Sequence, residues 1–187
     1  MAPNATIYKA EVQVSDMDRH YYATHALTLA RHPSETEERL MVRLLAFMLH
    51  ADERLEFGRG LSTEDEPDLW RKDYGGEIEQ WIELGQPDEA RIRKASGRAR
   101  EVVVVTYGGR AADTWWEKNA SALARVKNLS VIDVSAATDA LATLADRGMR
   151  LQCMIQDRQV QVFGDAGGEA ITIDPVLRIA PSGGGAR

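Results

Sequence analysis

The chain has 187 residues, 44% of them hydrophobic and 28% charged, with a formal net charge of −6. That length supports one well-buried core, the composition is that of an ordinary globular protein, and the acidic balance excludes a surface that coats nucleic acid indiscriminately, while leaving room for a local basic patch. The lone cysteine, Cys153, excludes an internal disulfide and a cysteine-based zinc site; with no signal-peptide pattern and no apolar run near the ~20 residues that cross a bilayer, a cytoplasmic protein without membrane contact is expected.

Residues 5–15 alternate polar and apolar side chains with period two, the signature of a strand. Asp16-Met17-Asp18-Arg19 is a turn, and the segment from His20 to Ala30 completes a hairpin. Pro33-Ser34-Glu35-Thr36-Glu37 announces a helix, with Ser34 as its cap and Glu37 closing a capping box. Leu40, Met41, Leu44, Leu45 and Met48 then recur at helical spacing. After His50, Gly58, Gly60 and Gly75-Gly76 punctuate short strands and tight turns up to residue 84. A helix is expected over 88–99, where Pro87 suits the first turn and Asp88 and Glu89 sit at the positive end of the helix dipole. The β-branched run Val102-Val103-Val104-Val105 predicts a central buried strand. A helix over 111–126, a strand over 129–134 and an alanine-rich helix over 136–147 follow, an alternation that implies parallel crossovers. Residues 151–179 read as a meander of two or three strands, and 181–187 as a disordered glycine-rich tail. The expected fold is a single α/β domain over residues 1–180.

The chemistry concentrates between residues 66 and 105. Along 77–84 a strand would place Glu77, Glu79, Trp81 and Glu83 on one face, turned to solvent or a cleft. Glu79 and Glu83 would lie about 13 Å apart along that strand, too far to share one metal ion. A partner must therefore come from the neighbouring strand. If Lys72 pairs with Glu77 around the Asp73-Tyr74-Gly75-Gly76 turn, Asp68 falls opposite Trp81 and lies diagonally about 7 Å from Glu83 on the same face. Two carboxylates so placed suit Mg²⁺ or Mn²⁺, with room for water and phosphate oxygens. A register slip of one residue would turn Asp68 away.

The helix over 88–99 complements the pair. Ile92, Ala95 and Ala99 form its buried stripe, and Arg91, Lys94 and Arg98 an adjacent cationic row suited to a phosphate backbone. The same row also fits a solvated helix face. Glu38, near the apolar side of the first long helix, is either an outer acidic residue of the site or an ion-pair partner of Arg39 or Arg43. Trp115-Trp116 suits base stacking or, more simply, the core. His20, His25, His32 and His50 lack zinc-ligand spacing, and Gly108-Gly109 is not followed by the Gly-Lys-Ser/Thr of a P-loop.

Over nearly its whole length the chain resembles the YaeQ family of bacterial proteins. The resemblance rests on Ala5-Thr6-Ile7-Tyr8-Lys9-Ala10, Arg31-His32-Pro33-Ser34-Glu35-Thr36, Leu49-His50-Ala51-Asp52-Glu53-Arg54-Leu55 and the block 66–98. A second resemblance is to the PD-(D/E)XK, or restriction-endonuclease-like, superfamily, whose αβββαβ core matches the element order from residue 34 to 107. It implies a mixed central sheet flanked by helices, carrying an extra N-terminal hairpin and C-terminal strands. It also implies Pro67-Asp68 as the first acidic element and Glu83 as the second. The lysine of that pattern falls on Gly85 here, leaving Gln86, Lys94 or Arg91 as replacements.

The expected function is a metal-dependent phosphodiester hydrolase acting on nucleic acid. Asp68 and Glu83 would hold Mg²⁺ or Mn²⁺, Gln86 or Lys94 would orient water or phosphate, and Arg91, Arg98 and Glu38 would line the substrate. The alternative is a nuclease fold without catalysis that binds nucleic acid or regulates. A protein-interaction module is a third reading.

Overall fold

A computed structural model of the chain describes residues 4–59, 65–165 and 167–182. In chain order its elements are β1 (Thr6–Asp16), β2 (Tyr21–Arg31), α1 (Glu37–Leu49), β3 (Leu55–Phe57), β4 (Leu69–Lys72), β5 (Ile78–Leu84), α2 (Glu89–Arg98) and β6 (Ala99–Thr106). There follow α3 (Arg110–Leu123), β7 (Leu129–Asp133), α4 (Thr138–Ala142), β8 (Gly148–Gln156), β9 (Gln159–Gly164), β10 (Ile171–Ile173) and β11 (Val176–Ile179). The chain is thus mixed α/β, with two mixed sheets in place of the one central sheet expected. The described residues fall into two compact units, one of residues 4–52 and 136–175, the other of 53–59, 65–135 and 176–182.

The first unit holds the sheet β10-β9-β8-β1-β2. Alternation along β1 buries Tyr8, Ala10, Val12 and Val14 on one face. The N-terminal hairpin pairs over its full length, from Thr6 opposite Arg31 to Asp16 opposite Tyr21. On its other side β1 pairs in parallel with β8, from Lys9 opposite Gly148 to Asp16 opposite Ile155. The expected C-terminal meander is therefore divided: β8, β9 and β10 join the hairpin, while β11 pairs antiparallel with β7 in the other sheet. Helix α1 is capped by Thr36, whose hydroxyl accepts the Arg39 N–H at 3.1 Å, and not by Ser34, which bonds to His32. Its central turns are buried from Leu40 to Met48, Arg43 included. Arg43 is neutralised by Glu35 at 2.9 Å, and Glu35 also takes Arg39 at 2.9 Å. The alanine-rich helix shrinks to a 3-10 turn at Ser135–Ala137 and the short α4, in a stretch interrupted by Thr138 and Thr143.

The second unit holds the sheet β11-β7-β6-β5-β4-β3. Strands β5, β6 and β7 are parallel, and α2 and α3 are their crossovers. The β-branched run lies at the centre of this sheet, with Val102 to Val105 no more than 1% exposed. Trp81, Ile92, Ala95, Val102, Val104, Leu123 and Leu129 form one apolar cluster, which welds α2 and the end of α3 to the sheet. Trp115 and Trp116 pack against its rim.

Among the described residues, no helix is long and apolar enough to cross a membrane. Of the tail expected to be disordered, residues 183–187 lie outside the described residues, and the Ser182 N–H donates to the Lys127 carbonyl at 2.9 Å.

Candidate functional site

The β4–β5 hairpin decides which carboxylates meet. Lys72 pairs with Ile78, a bulge follows, and the ladder continues with Arg71 opposite Gln80, Trp70 opposite Trp81 and Leu69 opposite Ile82. Against the expected register the pairing is displaced by two positions, since Trp70 meets Trp81 where Glu79 was expected. A shift of two conserves side-chain parity, where a shift of one would have inverted it. The ladder ends with Leu69 opposite Ile82, and Asp68 follows in the bend just before β4, near enough for its charge to act on Glu83.

Backbone contacts hold Asp68 there. The Gly58 N–H at the end of β3 donates to the Asp68 carbonyl at 2.9 Å. A Cβ at Gly58 would stand 1.9 Å from the Pro67 carbonyl oxygen, so only glycine permits this approach. The Asp68 carboxylate accepts the Leu84 N–H at 2.9 Å, completing the edge of β5 where β4 has ended. Asp68 is 8% exposed and Glu83 only 4%, so this part of the acidic face is buried and not turned to solvent. Glu79 lies apart from the pair, bound to Arg71 at 2.8 Å and Arg54 at 3.0 Å.

Glu83 is held from two sides. Its Oε1 accepts the indole N–H of Trp81 at 2.8 Å and the Nε–H of Arg91 at 2.8 Å. Arg91 also donates to the Glu66 carbonyl at 3.0 Å. Burial pushes the Glu83 carboxyl above its usual range; the Trp81 bond opposes the rise, the facing Asp68 charge adds to it, and Arg91 opposes it.

The remaining sequence-predicted residues divide. Helix α2 begins as expected, with Asp88 capping the Arg91 N–H at 2.8 Å, and it presents the cationic row. Only Arg91 of that row reaches the carboxylates. Lys94 engages Asp65 at 3.0 Å in the open, and that contact holds the Asp65 carboxyl below its usual range. Arg98 donates to the Asp65 carbonyl at 3.1 Å and lies 5.0 Å from the Trp81 ring. Gln86, just beyond β5, is exposed and donates its side-chain amide to the Tyr107 carbonyl. Gly85 adopts φ +88°, and its N–H bonds the Val105 carbonyl at 2.9 Å. Glu38 is on α1, in the other unit.

Residues 1–173 match the family described as YaeQ protein. The chain belongs to the YaeQ family. It is 52% identical over 167 residues to "Uncharacterized protein YaeQ" of Escherichia coli (strain K12), covering 88% of this chain and 92% of that one. The crystal structure of the YaeQ protein from Xanthomonas axonopodis pv. citri is similar with a TM-score of 0.91 at 61% identity, over 95% of this chain and 99% of that one. The YaeQ protein from Pseudomonas syringae is similar with a TM-score of 0.87 at 37% identity, over 96% and 98%. The two-sheet architecture is therefore the YaeQ architecture. The matched segment contains the whole constellation from Asp65 to Arg98.

Within this YaeQ chain the carboxylate pair has the donor chemistry of a hard divalent cation: anionic oxygens on rigid strands, with a charge repulsion that a cation would relieve. Among the described residues no group of three or more His, Cys, Asp or Glu side chains is gathered at one point. An ion at Asp68 and Glu83 would thus keep several water or substrate oxygens, as Mg²⁺ commonly does.

Sequence reasoning missed three features. Trp81 is a hydrogen-bond donor to Glu83, a pairing its i, i+2 position on β5 foreshadows. Asp65 gathers the outer cations of α2. Thr106, Asp133 and Ser135 form a network at the ends of β6 and β7, with the Thr106 hydroxyl on Asp133 at 2.7 Å and the Ser135 hydroxyl at 2.8 Å. No local spacing links Thr106 to Asp133; only the parallel register does.

Proposed function

We propose that this YaeQ protein is a divalent-cation-dependent phosphodiester hydrolase acting on nucleic acid, with the site at the β4–β5 hairpin. The observation that carries the reading is the nearness of Asp68 and Glu83, two buried carboxylates whose charges act on each other. The chain order α1, β3, β4, β5, α2, β6 supports it, since it is the αβββαβ order of the nuclease superfamily that the sequence resembles.

Each residue has a task that follows from its surroundings. Asp68 and Glu83 are the ligands, and their backbone and side-chain bonds hold them ready before a cation arrives. Mg²⁺ or Mn²⁺, when bound, supplies electrostatic stabilisation of the charge that develops at phosphorus. Arg91 offsets the Glu83 charge in the absence of a cation and, released from it, is a donor to a phosphate oxygen. The Gln86 amide nitrogen is tied to Tyr107, which leaves its oxygen as an acceptor for an attacking water. Lys94 and Arg98 stand farther out around Asp65 and contact the substrate backbone.

Crystals soaked in Mn²⁺ are expected to show an anomalous peak between Asp68 and Glu83 that is absent in Asp68→Asn. No peak at millimolar Mn²⁺, together with no cleavage of single- or double-stranded DNA or RNA, overturns the reading. The Arg91 bond to Glu83 and the glycine at position 85 favour a second reading, a nuclease fold that binds nucleic acid without cutting it. Its outcome in the same experiment is oligonucleotide binding without cleavage and without a peak.

A further inference from the structure

The cations of α2 nearest the carboxylates are engaged: Arg91 with Glu83, and Lys94 and Arg98 with Asp65. Those of α3 are placed differently. Arg110 and Lys118 are both exposed, and neither makes a salt bridge among the described residues. With Thr114 they form an i, i+4, i+8 stripe, so the two cations stand about 12 Å apart along the helix axis. This stripe lines an open groove of about 530 Å³, whose other walls are Gln86, Ala111 and Trp115. No acidic side chain lines it, in a protein of net charge −6.

The groove is firmly built on its aromatic side. Trp115 is half-buried, packs on the core of its unit and donates its indole N–H to the Pro87 carbonyl at 2.8 Å. Its ring is therefore a fixed surface, not a mobile side chain. Gln86 is anchored to the Tyr107 carbonyl on the facing side. Gln86 is also three residues beyond Glu83, at most about 10 Å of extended chain. The groove thus lies just beyond the end of β5 that carries Glu83.

We propose that this groove binds a single strand of nucleic acid, with Arg110 and Lys118 on separate phosphates and a base against Trp115. The inference rests on the hydrolase reading for its substrate class and adds the strandedness and the path of the chain. Charge selects a polyanion. A fixed aromatic ring selects unpaired bases, since only an unstacked base offers a face to it. Spacing of the cations across two helical turns suits a strand better than a lone phosphate ion.

The test is binding of a fluorescein-labelled oligothymidylate in EDTA, read by anisotropy, so that neither metal nor cleavage enters. The wild-type chain is expected to bind, and Arg110→Glu/Lys118→Glu to bind at least tenfold more weakly with an unchanged circular dichroism spectrum. The slope of log affinity on log salt should fall by about 1.4 in that variant, two contacts at ~0.7 each for a single strand. Arg93→Glu/Arg125→Glu carries the same charge change at exposed sites outside the groove and is expected to lose less than threefold. Arg110→Lys/Lys118→Arg should retain binding. No binding by the wild type at low salt, equal losses in the two charge-reversed variants, or equal affinity for a duplex of the same length overturns the proposal. Binding that persists while no nucleic acid is ever cut refutes the hydrolase reading and leaves the groove assignment standing.

Discussion

Replacing Arg91 with alanine strands a buried carboxylate, and the size of the effect follows from the contacts. Arg91 loses its bond to Glu83 at 2.8 Å and its bond to the Glu66 carbonyl at 3.0 Å. Removing one partner of a fully buried pair costs about 3–5 kcal/mol. The Glu83 side chain is 5% exposed but that of Arg91 is 29%, so water replaces part of what is lost. A cost of about 2–3 kcal/mol near neutral pH is expected. Adding Glu83→Gln to Arg91→Ala removes the stranded charge while keeping an acceptor for Trp81, so the double variant should recover to within about 1 kcal/mol of Glu83→Gln alone. The pH dependence has a definite sign. Burial raises the Glu83 carboxyl above its unfolded value, so its contribution is present where it is protonated and lost as pH rises through the folded value. Arg91 opposes that rise, so the deficit of Arg91→Ala should grow with pH and shrink as the carboxyl becomes protonated at acid pH. Urea unfolding followed by tryptophan fluorescence is the assay, because Trp70, Trp81, Trp115 and Trp116 all lie in the unit that holds the site. A deficit that is flat with pH, or equally large in the Glu83→Gln background, would refute the coupling between Arg91 and Glu83.

Three further outcomes are expected. Gly85→Lys places the lysine of the nuclease pattern at its sequence position, but φ +88° makes it destabilising by about 1–2 kcal/mol, and an unchanged urea midpoint would contradict this. Thr106→Val keeps the shape of a buried side chain and removes its 2.7 Å bond to Asp133; a loss of about 1–2 kcal/mol in the same assay is expected, and no loss would mean that Ser135 alone satisfies the carboxylate. Burial pushes the Cys153 thiol up to about 12, so the folded protein should not react with a disulfide reagent at mildly alkaline pH and should react stoichiometrically once unfolded; rapid reaction of the native protein would refute the burial argument.

Local patterns were legible and distant pairings were not. Period-two alternation located the N-terminal hairpin, and helical spacing located α1, whose buried run from Leu40 to Met48 contains every apolar position expected. The cap moved from Ser34 to Thr36 because the helix begins at Glu37, which makes Thr36 the residue just before its first turn. Apolar periodicity cannot name a partner strand, so the parallel pairing of β1 with β8, and the departure of β11 to the other sheet, had no local signal. The Asp68–Glu83 relation was legible because parity was tied to the face of β5. The register was off by one at Lys72 and by two beyond the bulge between Arg71 and Lys72, and an even error leaves the face intact. What remained hidden was the partner of each cation. Lys94 and Arg91 are equally plausible from spacing on α2, and only the position of Asp65 sends one to the surface and leaves the other for Glu83.

The glycine at 85 and the arginine at 91 belong to one local arrangement at the end of β5. After Leu84 the chain must leave β5 and turn into α2 within the few residues before the Asp88 cap. The left-handed backbone at position 85 accomplishes that turn while the Gly85 N–H still pairs with β6 through the Val105 carbonyl. A lysine would have to adopt that conformation against its Cβ. The turn in exchange brings the first turn of α2 close enough for Arg91 to reach Glu83 at 2.8 Å. A positive charge therefore reaches the carboxylates from the helix and not from the strand. It arrives as a guanidinium, which stays protonated at any physiological pH and holds Glu83 through a directed Nε–H bond. Such a group is poorly suited to take a proton from water, which is why water orientation in the proposed reaction falls to Gln86 and charge compensation to Arg91.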